Sequence, residues 1–188
     1  MKKFIRGIIF TVIVLLVAAL IYIWTGAYDI SQLSHHSSLT KWLIDQTVTH
    51  SIKKRTRNIE VPDLKDNTKF TVGFRHYDGM CVFCHSAPGI EESEFARGLY
   101  PDPPGFTKRD NIPGAAEGYW IIKNGIKMTG MPAFATTHSD EEIWSIVAFL
   151  VNRLPDMTES DYKSMKKLYT PEPDQDISPG VSSGSHQY

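Results

Sequence analysis

Cysteine is scarce in this 188-residue sequence: Cys81 and Cys84 are the only two. Between them they could close at most one disulfide. A zinc knuckle is disfavoured because it needs a second group of Cys or His, and after His85 the only histidines are His138 and His186. An excess of one charge is missing too. Twenty Lys and Arg against 21 Asp and Glu leave a formal net charge of −1, which offers no nucleic-acid footprint. Strand-type runs are absent after the cysteine pair, where Pro- and Gly-rich loop alternates with helical patterns. The βαβ frame that a redox dithiol requires is therefore missing. Paired carboxylates, a Ser-His-Asp arrangement and a phosphate-binding glycine loop are also absent. The chain is accordingly read as not itself an enzyme.

What is present is Cys81-Val82-Phe83-Cys84-His85. C-x-x-C-H is the spacing at which two thiols bond to the vinyl groups of a haem and the adjacent imidazole ligates its iron. Cys81 and Cys84 are thus predicted to carry one covalently attached haem c, with His85 as the proximal iron ligand. A six-coordinate haem needs a second donor on its opposite face. Met131, in Gly130-Met131-Pro132-Ala133-Phe134, is the expected distal ligand, because Pro132 restricts it to extended geometry in a loop between helices. Met128, three residues earlier, is the competitor, and a methionine is ordinarily a core gap-filler. With both axial positions filled, no site remains on the iron for a substrate. Single-electron transfer is then favoured over oxygen chemistry, at a potential raised by methionine ligation and burial.

The long uncharged run lies at the other end. From Gly7 to Trp24 no residue is charged, which is about the length needed to cross a hydrocarbon core as a helix. Lys2, Lys3 and Arg6 precede it, and no Asp or Glu occurs before Asp29. Positive charge before the span keeps the N-terminus cytoplasmic and puts everything after residue 27 on the far side. A cleaved signal peptide is the competing reading, although Thr25-Gly26-Ala27 is a poor cleavage site and the run is long for one. Without Lys2, Lys3 and Arg6, 17 basic residues face 21 acidic ones, so the exported part is mildly acidic.

The expected organisation is a cytoplasmic stub and transmembrane anchor at 1–27 and a connector at 28–66. A haem domain at 67–155, a short helical extension at 156–170 and a disordered tail at 171–188 follow. In the connector, Leu39, Trp42, Leu43, Val48 and Ile52 give a partial stripe for one or two short amphipathic helices. Lys53, Lys54, Arg55 and Arg57 form a basic cluster there, either a solvated helix face or a contact with anionic lipid. The haem domain opens on a helix capped by Asp66 or Asn67, with Phe70, Phe74 and Tyr77 on one face. Gly73, inside that helix, calls for a close approach by another. The partner is the helix after Ser139, where Ser139 and Glu142 can form a capping box. A middle helix from about Ala115 closes at Asn124-Gly125.

From about Asn67 to Pro155 these motifs, in this order, resemble a class I cytochrome c domain: Gly73 and Tyr77, CVFCH, the Pro-rich loop at 100–104, GIKMTGMPAF and the terminal helix EEIWSIVAFLVNRLP. The resemblance implies an all-α fold, three to five helices around one covalently bound haem, in which the terminal helix crosses the first at its glycine and aromatic. It also implies that a proline carbonyl among Pro101 to Pro104 accepts the proximal histidine's ring proton, and that electrons pass at a haem edge near Phe83 and the methionine loop. The whole chain is similar to membrane-anchored monohaem cytochromes of bacterial respiratory chains. That similarity implies a single-pass protein of the inner (cytoplasmic) membrane with its haem domain in the periplasm. The donor would be a quinol-oxidising complex or a dehydrogenase, the acceptor a terminal oxidase or a soluble cytochrome. The alternatives are a fixed haem subunit of a larger oxidoreductase complex, a haem-based gas sensor or peroxidase, and, more weakly, a thiol oxidoreductase.

Overall fold

A computed structural model describes residues 1–169; the tail expected at 171–188 lies outside them. The chain divides into two units, Met1–Asp45 and the remainder from Gln46. The first begins with α1 (Lys2–Trp24), a 23-residue helix with no buried residue. It is the one helix among the described residues long and apolar enough to cross a membrane. A short turn region follows, in which the Asp29 carboxylate accepts from the Ser31 amide at 2.8 Å and from the Ser34 hydroxyl.

The connector carries one continuous helix, α2 (Ser38–Thr56). Its apolar stripe is divided by environment. Leu39, Trp42 and Leu43 are more than half exposed, whereas Val48 and Ile52 are half-buried and Thr56 is buried. In the second unit the Arg55 guanidinium lies over the Trp120 ring, 5.9 Å from its centroid.

The rest is helical, with a single isolated bridge, Ala87 to Ile90, as the only strand-like pairing among the described residues. α3 (Asn67–His76) starts where the Asp66 carboxylate accepts from the Thr68 amide at 2.9 Å, which satisfies one of the otherwise unpaired donors of a first turn. The helix then widens into a π-turn over Tyr77–Cys81 before the short α4 (Val82–His85). After α5 (Glu94–Arg97) and α6 (Ala115–Asn124) comes α7 (Asp140–Asn152), which opens on the complete Ser139/Glu142 capping box. α8 (Glu159–Tyr169) is capped by Thr158, whose hydroxyl accepts from the Asp161 amide at 3.2 Å.

α3 and α7 form the centre of the domain. A Cβ placed on Gly73 would fall on the Ser145 carbonyl oxygen and within 2.8 Å of the Phe149 Cβ, so only glycine lets the two backbones come this close. Around the crossing, Phe74 meets Phe149 and Tyr162 edge-on, at 5.6 and 5.2 Å between ring centroids. Tyr119 of α6 stacks on Trp144 of α7 at 4.1 Å. Phe74, Tyr77, Ile143, Phe149 and Tyr162 are all buried to within 1 %. Each fully buried side chain of this size contributes roughly 1.5–3 kcal/mol. Ile143 through Leu150 are buried without interruption, because α7 has a neighbour on every side. The domain is thus built around one helix, and the C-x-x-C-H segment hangs from the helix that crosses it.

Candidate functional site

The π-turn delivers Cys81 and Cys84 to the two ends of α4, three residues apart, and leaves His85 at its C-terminal end. Tyr77, the last aromatic of the buried face, is completely buried. Its hydroxyl donates to the Ser86 carbonyl at 2.5 Å and reaches the His85 carbonyl at 3.4 Å. The Phe106 amide and the Ser86 hydroxyl also donate to the His85 carbonyl, at 3.0 and 2.7 Å. The backbone at His85 is thus fixed from the core and from the loop that follows.

The ring is fixed as well. His85 Nδ1 lies 2.8 Å from the Pro104 carbonyl oxygen. A carbonyl can only accept, so Nδ1 carries the proton and donates it. Burial is the larger influence on the imidazole and lowers its pKa, against a smaller opposing contribution from Pro104. The neutral ring therefore keeps its lone pair on Nε2, the atom a metal would need. Phe106 lies parallel to the imidazole at 4.4 Å and 9°, and holds its plane.

Both cysteines are free thiols. Burial, followed by the nearby Cys84, pushes the Cys81 thiol up to about 12. Burial also raises the Cys84 pKa. Redox-active C-x-x-C pairs need a thiolate, obtained by lowering a cysteine's pKa. This pair is shifted in the opposite direction, which argues against thiol-disulfide exchange.

The two candidate methionines occupy unlike environments. Met131 is half-buried and packs against the same apolar cluster that Cys81 and Val82 touch. Its amide donates to Thr129 Oγ1 at 3.1 Å, and its carbonyl accepts from the Ile126 amide at 3.2 Å. Met128 is 99 % exposed, with a φ of +59°. Gly125 has a part here that its role as helix terminator does not reveal. Its φ is +65°, and a Cβ on it would stand 2.7 Å from both the Met131 carbonyl oxygen and the Pro132 carbonyl carbon. The methionine segment lies directly against the end of α6.

These donors suit a haem: a neutral imidazole with a free Nε2, two thiols beside it and a half-buried thioether on a separate, braced loop. Residues 68–150 match the family model described as cytochrome C oxidase, cbb3-type, subunit III. This stretch is similar to a class I cytochrome c domain. No curated protein matches the chain. A cytochrome c domain implies a haem cofactor, redox partners and haem-based electron transfer. It occupies less than half of the chain's 188 residues and sits downstream of an apolar helix that fits membrane anchoring.

The resemblance implied a carbonyl partner for the histidine among Pro101 to Pro104, and the carbonyl that meets His85 is that of Pro104. Three residues that shape the site went unread: Tyr77 as hydrogen-bond donor, Phe106 as ring support and Gly125 as the seat of the methionine segment. Tyr77 was legible only as a buried aromatic. Nothing near Phe106 in the sequence marks it.

Proposed function

We propose that this chain is a membrane-anchored monohaem c-type cytochrome that passes single electrons in a respiratory chain, and is not itself an enzyme. Cys81 and Cys84 hold the haem c through thioethers, His85 is its proximal ligand and Met131 its distal one. Bound there, the haem supplies a reversible one-electron couple. The observation that carries this reading is the His85 Nδ1 to Pro104 hydrogen bond of 2.8 Å, which leaves Nε2 unprotonated and aimed by a fixed ring. Such a bond also raises the basicity of the coordinating nitrogen. The burial of Met131 beside the cluster that Cys81 touches supports its choice over the solvent-exposed Met128.

The organisation we propose is an anchor at 1–27, a connector at 28–66, a haem domain at 67–155 and a helical extension at 156–170. Lys2, Lys3 and Arg6 before the span orient the anchor with its N-terminus in the cytoplasm, so the haem domain is periplasmic and the membrane is the inner one. Electrons come from a quinol-oxidising complex or a dehydrogenase and leave to a terminal oxidase or a soluble cytochrome.

A second reading, a fixed haem subunit within a larger membrane oxidoreductase, draws support from the oxidase-subunit description of the matching family model. It also draws on the exposed Leu39, Trp42 and Leu43. An optical redox titration of the detergent-purified protein tests the carrier. One low-spin transition at high potential, with a weak near-infrared methionine-to-iron band, is the expected result. A low potential, a missing methionine band or ready carbon monoxide binding to the ferrous protein would replace it with a sensor or peroxidase.

A further inference from the structure

Two phenylalanines stand on the surface beside the C-x-x-C-H segment. Phe83, between the cysteines, is 54 % exposed, and Phe95 of α5 is 57 % exposed. They touch each other, with ring centroids 5.3 Å apart and planes inclined by 31°. Single exposed apolar residues are ordinary. Two large aromatics spent on each other in water are a patch, and aromatic residues are enriched at the centres of protein interfaces.

The pair is held in place. Ser93 donates its hydroxyl to the Phe83 carbonyl at 2.6 Å, and its Oγ accepts from the Ala96 amide at 3.1 Å and caps α5. Ala96 is fully buried under that turn. The segment that carries Phe95 is therefore tied directly to α4, which carries Phe83. It also carries Glu91, Glu92 and Glu94, all exposed, and none of them is paired with a basic side chain among the described residues. Arg97, one turn on, is the only opposing charge in that stretch.

We infer that the Phe83–Phe95 pair, with Glu91, Glu92 and Glu94 beside it, is a docking face for a redox protein that presents an apolar centre rimmed by Lys and Arg. The inference rests on the electron-carrier reading, which places this face next to the haem attachment. Charge selects the occupant. A second copy of this chain would set the three carboxylates against themselves in a two-fold contact, and an anionic lipid surface would repel them. A basic partner is steered in by the acidic side chains, and the aromatic pair then excludes water at the contact.

The test uses the full-length protein in detergent, reduced beforehand and then mixed in a stopped flow with one of two oxidants. Tris(phenanthroline)cobalt(III) is cationic and aromatic; ferricyanide is anionic. In each reaction the protein loses one electron, and cobalt(III) becomes cobalt(II) or iron(III) becomes iron(II). We expect the cobalt reaction to slow as salt is added. Phe95→Ala should slow it about threefold, and combined Glu91→Gln, Glu92→Gln and Glu94→Gln about fivefold, in line with the loss of steering charge. Reduction potential and optical spectrum should stay the same. Ferricyanide should be unaffected by Phe95→Ala and accelerated by the triple change. Equal rates in wild type and both variants would overturn the proposal, as would slowing to the same degree with both oxidants. A wild-type protein that binds carbon monoxide and lacks the methionine band would overturn the carrier reading itself and the docking face with it.

Discussion

Met128 and Met131 are three residues apart, yet they differ in what a side chain there can do. Met128 projects into solvent from a left-handed backbone, so its thioether would have to be drawn inward before it could bind anything. Met131 is already half-buried, with its amide and carbonyl both bonded within the loop. A donor whose backbone is fixed loses less freedom on binding than one that must first be ordered. Met131→Ala should therefore abolish the near-infrared band and open the ferrous protein to carbon monoxide, while Met128→Ala leaves both properties as in the wild type. Optical spectra of the two variants decide it, and the reverse pattern would reassign the ligand.

The elements that hold these residues were legible to different extents. The start of α3 at Asp66 or Asn67, the capping box of α7 and the end of α6 at Gly125 could all be placed because each signal is contained within a few residues. So could the α3–α7 crossing, since a glycine costs a helix stability and its place inside an aromatic stripe marks where a second backbone comes close. The choice of Pro104 could not be made, because Pro101, Pro103 and Pro104 share one loop and only the course of the backbone decides which carbonyl meets His85. The π-turn over Tyr77–Cys81 has no local signature either. Gly125 was readable as a terminator but not as the surface against which Met131 lies. Gly125→Ala tests that second part: a φ of +65° strains any L side chain, and the added Cβ meets the Met131 carbonyl at 2.7 Å. We expect stability to drop by about 2–4 kcal/mol in denaturant unfolding, with haem still attached and the methionine band weakened. An unchanged band would show that the segment yields without moving its sulfur.

The junction of α3 with the start of α7 makes a prediction about acid. His76 lies edge-on to His138 at 4.9 Å between ring centroids, with a Glu142 carboxylate oxygen 3.8 Å from its Nε2. Burial first, then the neighbouring His138, lowers the His76 pKa below its ordinary value of 6.5, more than Glu142 raises it. The folded protein thus binds this proton less readily than the unfolded chain does. The stabilisation is complete above the unfolded pKa near 6.5 and is lost as pH falls through the lower folded value. Glu142 adds a second, more acidic step, since hydrogen bonds from Ser139 lower its pKa from 4.5 and its contribution fades as protonation sets in. Thermal midpoints should fall between pH 7 and pH 5 in the wild type and fall less in His76→Gln. Identical slopes would remove His76 as the cause.

At the scale of the whole molecule the proposed membrane attachment has two candidate sources. α1 has no buried residue and the length and apolarity to span one. Farther along, Leu39, Trp42 and Leu43 offer a smaller exposed apolar surface on α2. Burying a spanning helix in hydrocarbon is effectively irreversible, whereas a few interfacial side chains bind reversibly and in competition with solvent. A chain beginning at residue 28, directed to the same compartment by a separate cleavable signal, should therefore be released into the soluble fraction with haem attached and an unaltered spectrum. The full chain should resist extraction by high salt and alkaline carbonate. If the shortened chain stays with the membrane and salt removes it, charge on the connector is the tether. If only detergent removes it, the Trp42 surface has a buried partner, and the reading as a fixed subunit of a larger complex gains over that of a free carrier.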